Sequence, residues 1–168
     1  RYHGLLVAAL KPPVGRTLLV AKLDETAGYG GHTFELSTNR WHGGSVTPRG
    51  YRHLERFRLE GTIPVWTYAL ADALLEKRVW MEQGANTTYV RYDLARGAGP
   101  LSLAIKAMVN CRDYHGSTRG NGWRMRVEGA DHGLAVTAYD SAVPFYLLPD
   151  RGESDAAHDW HLGFDLAV

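Results

Sequence analysis

Two four-residue clusters, Arg1-Tyr2-His3-Gly4 and Arg112-Asp113-Tyr114-His115, each gather a cation, a flat ring and hydrogen-bonding groups. Each lies at the end of a run that reads as a β-strand. That mixture suits a sugar: a ring covers the apolar face of a pyranose while polar groups bind its hydroxyls. Strand ends on a rigid scaffold are where such groups are presented. A third segment, Arg49-Gly50-Tyr51-Arg52, follows Pro48. There Gly50 permits an unusual backbone angle, and Arg49 and Tyr51 face a ligand from a loop. Plainer readings stand beside these. Arg49 at a strand-entry turn serves a surface ion pair, and Arg112 to His115 form a hydrogen-bonded corner that ends a strand, with Asp113 holding Arg112 or His115. Binding is favoured at the corner, because an Arg, an aromatic and a His rarely gather there for packing alone.

Other chemistry is thinner. Trp41 lies in a Gly-rich loop between Arg40 and His42 and is the best exposed stacking candidate, whereas Trp66 and Trp123 fall in alternating runs and read as core. His158 and His161 flank Asp159, but no second pair matches them, so no metal site is expected. Glycoside hydrolysis needs two carboxyl groups flanking a bond. Asp24, Glu25, Glu55, Asp93 and Asp113 are candidates, and nothing in the sequence pairs any two of them. No serine-nucleophile elbow, phosphate loop or dinucleotide fingerprint is present, and no cofactor is expected. The single cysteine, Cys111, excludes an internal disulfide and fits a cytoplasmic setting; it reads as a small apolar core residue.

These residues need a scaffold, and the dominant hydrophobic period is two. Leu101, Leu103, Ile105, Ala107 and Val109 alternate with Ser102, Ala104, Lys106, Met108 and Asn110; Val90, Tyr92 and Leu94 alternate with Arg91 and Asp93; Trp123, Met125 and Val127 alternate with Arg124, Arg126 and Glu128. The run from Thr17 to Leu23 is apolar on both faces, apart from Lys22, and predicts a central strand. Turn signals such as Pro12-Pro13-Val14-Gly15 and Gly97-Ala98-Gly99-Pro100 separate the runs. Ala69 to Arg78 is rich in helix formers, but Trp66, Tyr68 and Leu70 alternate before it and Val79-Trp80 continue after it. A β-hairpin turning near Asp72 is expected, with a helix as the competing reading. Strands following strands indicate an all-β fold, an antiparallel β-sandwich of about ten strands.

The chain has 168 residues, of which 45% are hydrophobic and 22% charged, with a formal charge of +1. That describes one globular domain, and the charge balance gives no strong attraction to nucleic acid or an anionic membrane. No apolar stretch reaches transmembrane length. The chain opens at Arg1 and stops at Val168, and is expected to be a fragment of something longer.

Several segments occur in an order that resembles one family. They are Arg1-Tyr2-His3-Gly4-Leu5-Leu6-Val7-Ala8, Lys22-Leu23-Asp24-Glu25, Pro48-Arg49-Gly50-Tyr51 and Leu54-Glu55-Arg56-Phe57. Pro64-Val65-Trp66-Thr67-Tyr68, Glu76-Lys77-Arg78-Val79, Asn86-Thr87-Thr88 and Arg112-Asp113-Tyr114-His115 follow. Together they resemble the N-terminal domain of bacterial and archaeal glycogen debranching enzymes. The resemblance implies a β-sandwich of the supersandwich type, preceded by a Gly-rich strand segment that this chain lacks and followed by an (α/α) barrel. In the family the full enzyme removes α-1,6-linked glucose left at glycogen branch points, and its catalytic carboxylates belong to the barrel. The implied partners are an α-glucan (glycogen, limit dextrin or maltooligosaccharide) and that barrel. On this reading no residue here is catalytic, and Tyr2, His3, Arg49, Tyr51, Arg112, Asp113, Tyr114 and His115 contact sugar or the barrel. Two alternatives stay open: a purely structural scaffold, and a stand-alone sugar epimerase or lyase with His115 as base and Asp113 orienting it.

Overall fold

The computed structural model describes residues 3–118 and 123–165. In chain order the strands are β1 (Leu6–Lys11), β2 (Val14–Tyr29), β3 (His32–Glu35), β4 (Thr38–Arg40) and β5 (Val46–Arg49). A short 3-10 turn, Gly50–His53, leads into β6 (Leu54–Glu60), β7 (Ile63–Leu70), β8 (Ala73–Met81) and β9 (Thr88–Arg96). β10 (Ser102–Asp113), β11 (Arg126–Ala130), β12 (Gly133–Thr137) and β13 (Phe145–Leu147) complete the fold. The all-β, antiparallel expectation holds: every strand pairing is antiparallel, and the described residues contain no helix longer than that one turn.

One sheet runs β1-β2-β10, with β3 also paired to β2; a second runs β6-β7-β8-β9; a third runs β11-β12-β13. The strand expected to be central is central: β2 extends over 16 residues, with β1 on one side and β10 on the other. Its apolar composition on both faces follows from where its two halves pack. Leu19 and Val20 join Leu6, Ala8, Val136 and Phe145 in a core against the third sheet. Further along, Ala27 and Tyr29 join Leu36, Leu70, Ala73 and Leu75 in a core against the second sheet.

The Ala69 to Arg78 segment forms the hairpin rather than the helix. β7 ends at Leu70, β8 begins at Ala73, and Ala71 takes a left-handed φ of 55°. Cross-strand pairing decides this against propensity. The hairpin places Leu70, Ala73 and Leu75 together in the intersheet core, each 2% exposed or less. The outer face of the same sheet carries alternating charges over Val65, which is itself fully buried. Arg58 bridges Glu60 and Glu76, and Arg78 bridges Glu76 and Asp93, in a ladder across β6, β8 and β9. Two expectations need adjusting. The described residues hold thirteen strands rather than about ten, and Trp123 and Met125 precede β11 instead of lying in it.

Candidate functional site

Strand register builds a row of side chains across the inner face of the second sheet. Phe57 lies opposite Trp66, Trp66 opposite Lys77, and Lys77 opposite Tyr92. The Lys77 ammonium sits 5.9 Å from the ring centres of both Trp66 and Tyr92, within reach of a cation–π contact. Glu25 of β2 faces this row from the opposing sheet. Its Oε1 accepts hydrogen bonds from Lys77 Nζ and from the Tyr92 hydroxyl, the latter at 2.7 Å. Glu25 is 3% exposed. A buried carboxylate is tolerable only when paired and hydrogen-bonded, and both conditions are met.

A cleft of about 270 Å³ opens beside this ion pair. Trp66, Tyr68 and Tyr51 contribute rings to its lining, and Ser37, Thr38 and Lys22 add polar groups. Exposure falls from 52% at Tyr51 to 3% at Glu25, which makes Tyr51 the mouth and the ion pair the floor. No described residue donates a hydrogen bond to the second Glu25 oxygen, Oε2. Burial, with the Glu25 charge adding to it, pushes the Tyr68 phenol up to about 12. The same causes, in the same order, raise Tyr92, helped by its bond to Glu25. Both phenols therefore remain protonated at neutral pH, and Tyr92 donates its proton to Glu25.

The position of Tyr51 depends on Gly50. A Cβ at Gly50 would lie 2.1 Å from the Leu36 carbonyl carbon and oxygen, and the Gly50 N–H donates to Ser37 O at 2.8 Å. The sequence expectation of an unusual backbone angle there is incorrect, since Gly50 is not among the positive-φ glycines. What the glycine supplies is close backbone approach. Thr38 Oγ1 then accepts the Tyr51 N–H at 3.0 Å. Next to the cleft, Lys22 donates to Thr38 O and Asn39 Oδ1, and Asn39 Nδ2 donates to Asp24 Oδ2 at 2.8 Å. The Lys22 ammonium also lies 2.7 Å from Asp24 Oδ1 but off the line of a hydrogen bond, so that buried oxygen has an ion-pair contact alone.

The structure divides the residues singled out from the sequence. Tyr51 lines the cleft; Arg49 lies two residues away, with its Nε donating to Val46 O at 3.2 Å. Tyr2 lies outside the described residues. His3 is exposed, just ahead of Leu5, whose N–H bonds Ala21 O beside the middle of β2. The Arg112 to His115 corner lies elsewhere: the Tyr114 N–H donates to Arg16 O at the start of β2. At about 3.3 Å per residue, Arg16 and Glu25 are roughly 30 Å apart along that strand. At the corner, Arg112 Nη1 donates to the carbonyls of Asp113, Tyr114 and Gly116. Asp113 Oδ1 accepts the His115 backbone N–H at 2.8 Å. The Tyr114 and His115 rings meet edge to face at 4.3 Å.

Trp41 is not an open stacking platform. Phe164 stacks on its ring at 4.6 Å, and its Nε1 donates to Thr47 O at 2.7 Å. Trp66, expected in the core, is half-buried at the cleft. Of the five carboxylates considered, Asp24, Glu25, Asp93 and Asp113 are all engaged, and Glu55 is exposed on β6. Sequence reasoning missed Tyr68 and Lys77 as site residues and did not pair Glu25 with anything. The usable signal was the two-residue period, which puts Lys77 on the same face as Leu75 and Val79 despite its charge. Among the described residues no group of histidines, cysteines and carboxylates is placed to hold a metal ion, and no helix is long and apolar enough to cross a membrane.

Stacked antiparallel sheets with an aromatic, ion-paired recess between them make this an all-β chain with a small cleft beside a buried ion pair. The sequence profile described as glycogen debranching enzyme N terminal matches residues 1–168. The chain therefore belongs to the glycogen debranching enzyme N-terminal family. No curated protein and no solved structure matches it.

Proposed function

We propose that this chain is the single-domain, non-catalytic N-terminal part of a glycogen-debranching α-1,6-glucosidase, which binds α-glucan and braces the (α/α)-barrel catalytic domain. The observation that carries this reading is the make-up of the cleft. Three rings, Tyr51, Trp66 and Tyr68, surround a recess whose lining includes one carboxylate, Glu25, and that carboxylate is held by Lys77 and Tyr92. Glycoside hydrolysis uses two carboxyl groups some 5–10 Å apart, one of them free to give up a proton. Rings beside hydrogen-bonding groups suit sugar binding instead. The Arg112 to His115 corner, with its paired rings, is the surface we assign to the barrel contact. A cytoplasmic setting, where glycogen is stored, accords with the unpaired thiol of Cys111.

The test is titration of this chain with maltooligosaccharides, followed by tryptophan fluorescence, together with an assay of limit-dextrin hydrolysis. Saturable binding without glucose release is expected. No response at millimolar sugar removes the glucan-binding reading, and glucose release by the chain alone removes the non-catalytic one.

A further inference from the structure

We infer that β6 is a seam between two copies of this chain. Their β6 strands pair antiparallel about a twofold axis at Arg58 and join two four-stranded sheets into one continuous sheet. Nothing in this depends on the glucan-binding reading.

The edge is open. β6 is the end strand of the second sheet, with β7 on one side and no described strand on the other. Every residue from Leu54 to Glu60 is exposed except Arg58. An unpaired edge presents a row of N–H and C=O groups that another strand can bond, and proteins blunt such edges with bulges or covering segments. On β10, the long outer strand of the first sheet, the register shifts twice between Met108 and Arg112. On β6 the register shifts only between Leu54 and Arg56, so Arg56 to Glu60 stays regular.

The same strand is apolar on one face. Phe57 lies opposite Trp66 and Leu59 opposite Pro64, which puts both on the inner face. Phe57 is 54% exposed and Leu59 61%. Two large apolar side chains side by side on a bare edge mark an association surface.

The sequence of the strand selects a second copy as the partner, and one register. In antiparallel pairing about a twofold axis, residues equidistant from the axis stand opposite each other on one face. With the axis at Arg58, Phe57 of each copy meets Leu59 of the other, and Arg56 meets Glu60. The inner face gains two apolar pairs and the outer face two ion pairs. Centring on Phe57 sets Arg56 against Arg58, and centring on Leu59 leaves Phe57 opposite Gly61, beyond the strand. The two Arg58 side chains that meet at the axis are neutralised within their own sheets, with Nη2 2.7 Å from Glu60 Oε1 and Nη1 2.8 Å from Glu76 Oε1. Arg56 is exposed and makes no ion pair among the described residues, so it extends the outer charge ladder into the second copy.

One strand pair makes a small interface, so the dimer should be reversible. Sedimentation of this chain should show a monomer–dimer equilibrium that shifts with concentration. Phe57→Lys and Arg56→Glu, both at exposed side chains, should keep the circular dichroism spectrum and each weaken the dimer about tenfold. Register is read by cysteine cross-linking in a Cys111→Ala background. Directly opposite residues lie about 4.5–5.5 Å apart between Cα atoms, within disulfide reach. A mixture of Phe57→Cys and Leu59→Cys chains should therefore cross-link one kind to the other, and neither kind should cross-link to itself. A chain that stays monomeric at about 1 mM overturns the inference. A dimer indifferent to both Phe57→Lys and Arg56→Glu lies elsewhere and overturns it too. Self-cross-linking of Phe57→Cys chains places the axis at Phe57 and overturns the register on which the choice of partner rests.

Discussion

The side-chain amide of Asn86 pairs with the backbone of Ala9 much as a neighbouring strand would. The Ala9 N–H donates to Asn86 Oδ1 at 2.8 Å, and Asn86 Nδ2 donates to the Ala9 carbonyl at 3.4 Å. Two residues on, Thr88 Oγ1 donates to Leu5 O at 2.6 Å. The Asn86-Thr87-Thr88 segment thus caps the free edge of β1, a position where an unpaired strand invites association with another chain. Asn86→Ala should cost about 1 kcal/mol in urea unfolding. It should also speed hydrogen exchange at Ala9 and bring on concentration-dependent self-association, read by light scattering.

The Glu25–Lys77 pair predicts an asymmetric double-mutant cycle. Lys77→Met leaves a buried carboxylate with only the Tyr92 hydroxyl, and should cost about 3–5 kcal/mol. Adding Glu25→Gln removes the stranded charge and should restore a large part of that loss. If the two changes were simply additive in urea melts, the pair would not be energetically coupled.

Alkaline pH should loosen the fold through the same cluster. Tyr68 is raised from 10.0 to about 12, and Tyr92 is raised as well, burial being the first cause for each. A phenol that holds its proton more tightly when folded contributes stability that is full below its unfolded value and is lost as pH rises through the folded one. Stability should therefore fall between about pH 10 and 12. Ultraviolet titration should show Tyr68 and Tyr92 among the late-ionising tyrosines, together with Tyr89 and Tyr139, and Tyr68→Phe should flatten part of the decline.

Gly50→Ala places a methyl group 2.1 Å from the Leu36 carbonyl. The backbone must shift, at a cost of about 1–3 kcal/mol. Because Tyr51 follows directly, thermal melting should fall and Tyr51 should leave the mouth of the cleft, weakening maltooligosaccharide binding together with stability.

Much of the fold was readable because period-two patterning is a strong signal wherever one face is buried. The turn at Asp72 is located that way, whereas Thr17 to Leu23 reads as a central strand because it is apolar on both faces. The site was less readable, for physical reasons that can be named. Lys77 lies among charges in Glu76-Lys77-Arg78, and only register shows that it points inward while its neighbours join the outer ladder. Its partner, Glu25, lies 52 residues away in sequence, a pairing that only the packing of two sheets creates. Residue type was also an unreliable guide to location: the Arg112 to His115 corner and the Arg49-Gly50-Tyr51 segment look alike in composition, yet the first bonds Arg16 at the start of β2 and the second bonds Ser37 and Thr38. Ala71 shows the same limit in a turn, where a left-handed φ is held by an alanine rather than a glycine. Ala71→Gly should relieve that strain and raise the unfolding free energy by about 0.5–1 kcal/mol in urea melts.

The length of β2 bears on how the molecule comes apart. One continuous strand supplies Leu19 and Val20 to one apolar cluster and Ala27 and Tyr29 to the other. Neither cluster can dissolve while the other persists without bending or breaking this shared beam. Heat or denaturant should therefore melt both in a single cooperative transition, with signals from Trp66 and from Phe145's neighbourhood changing at the same midpoint.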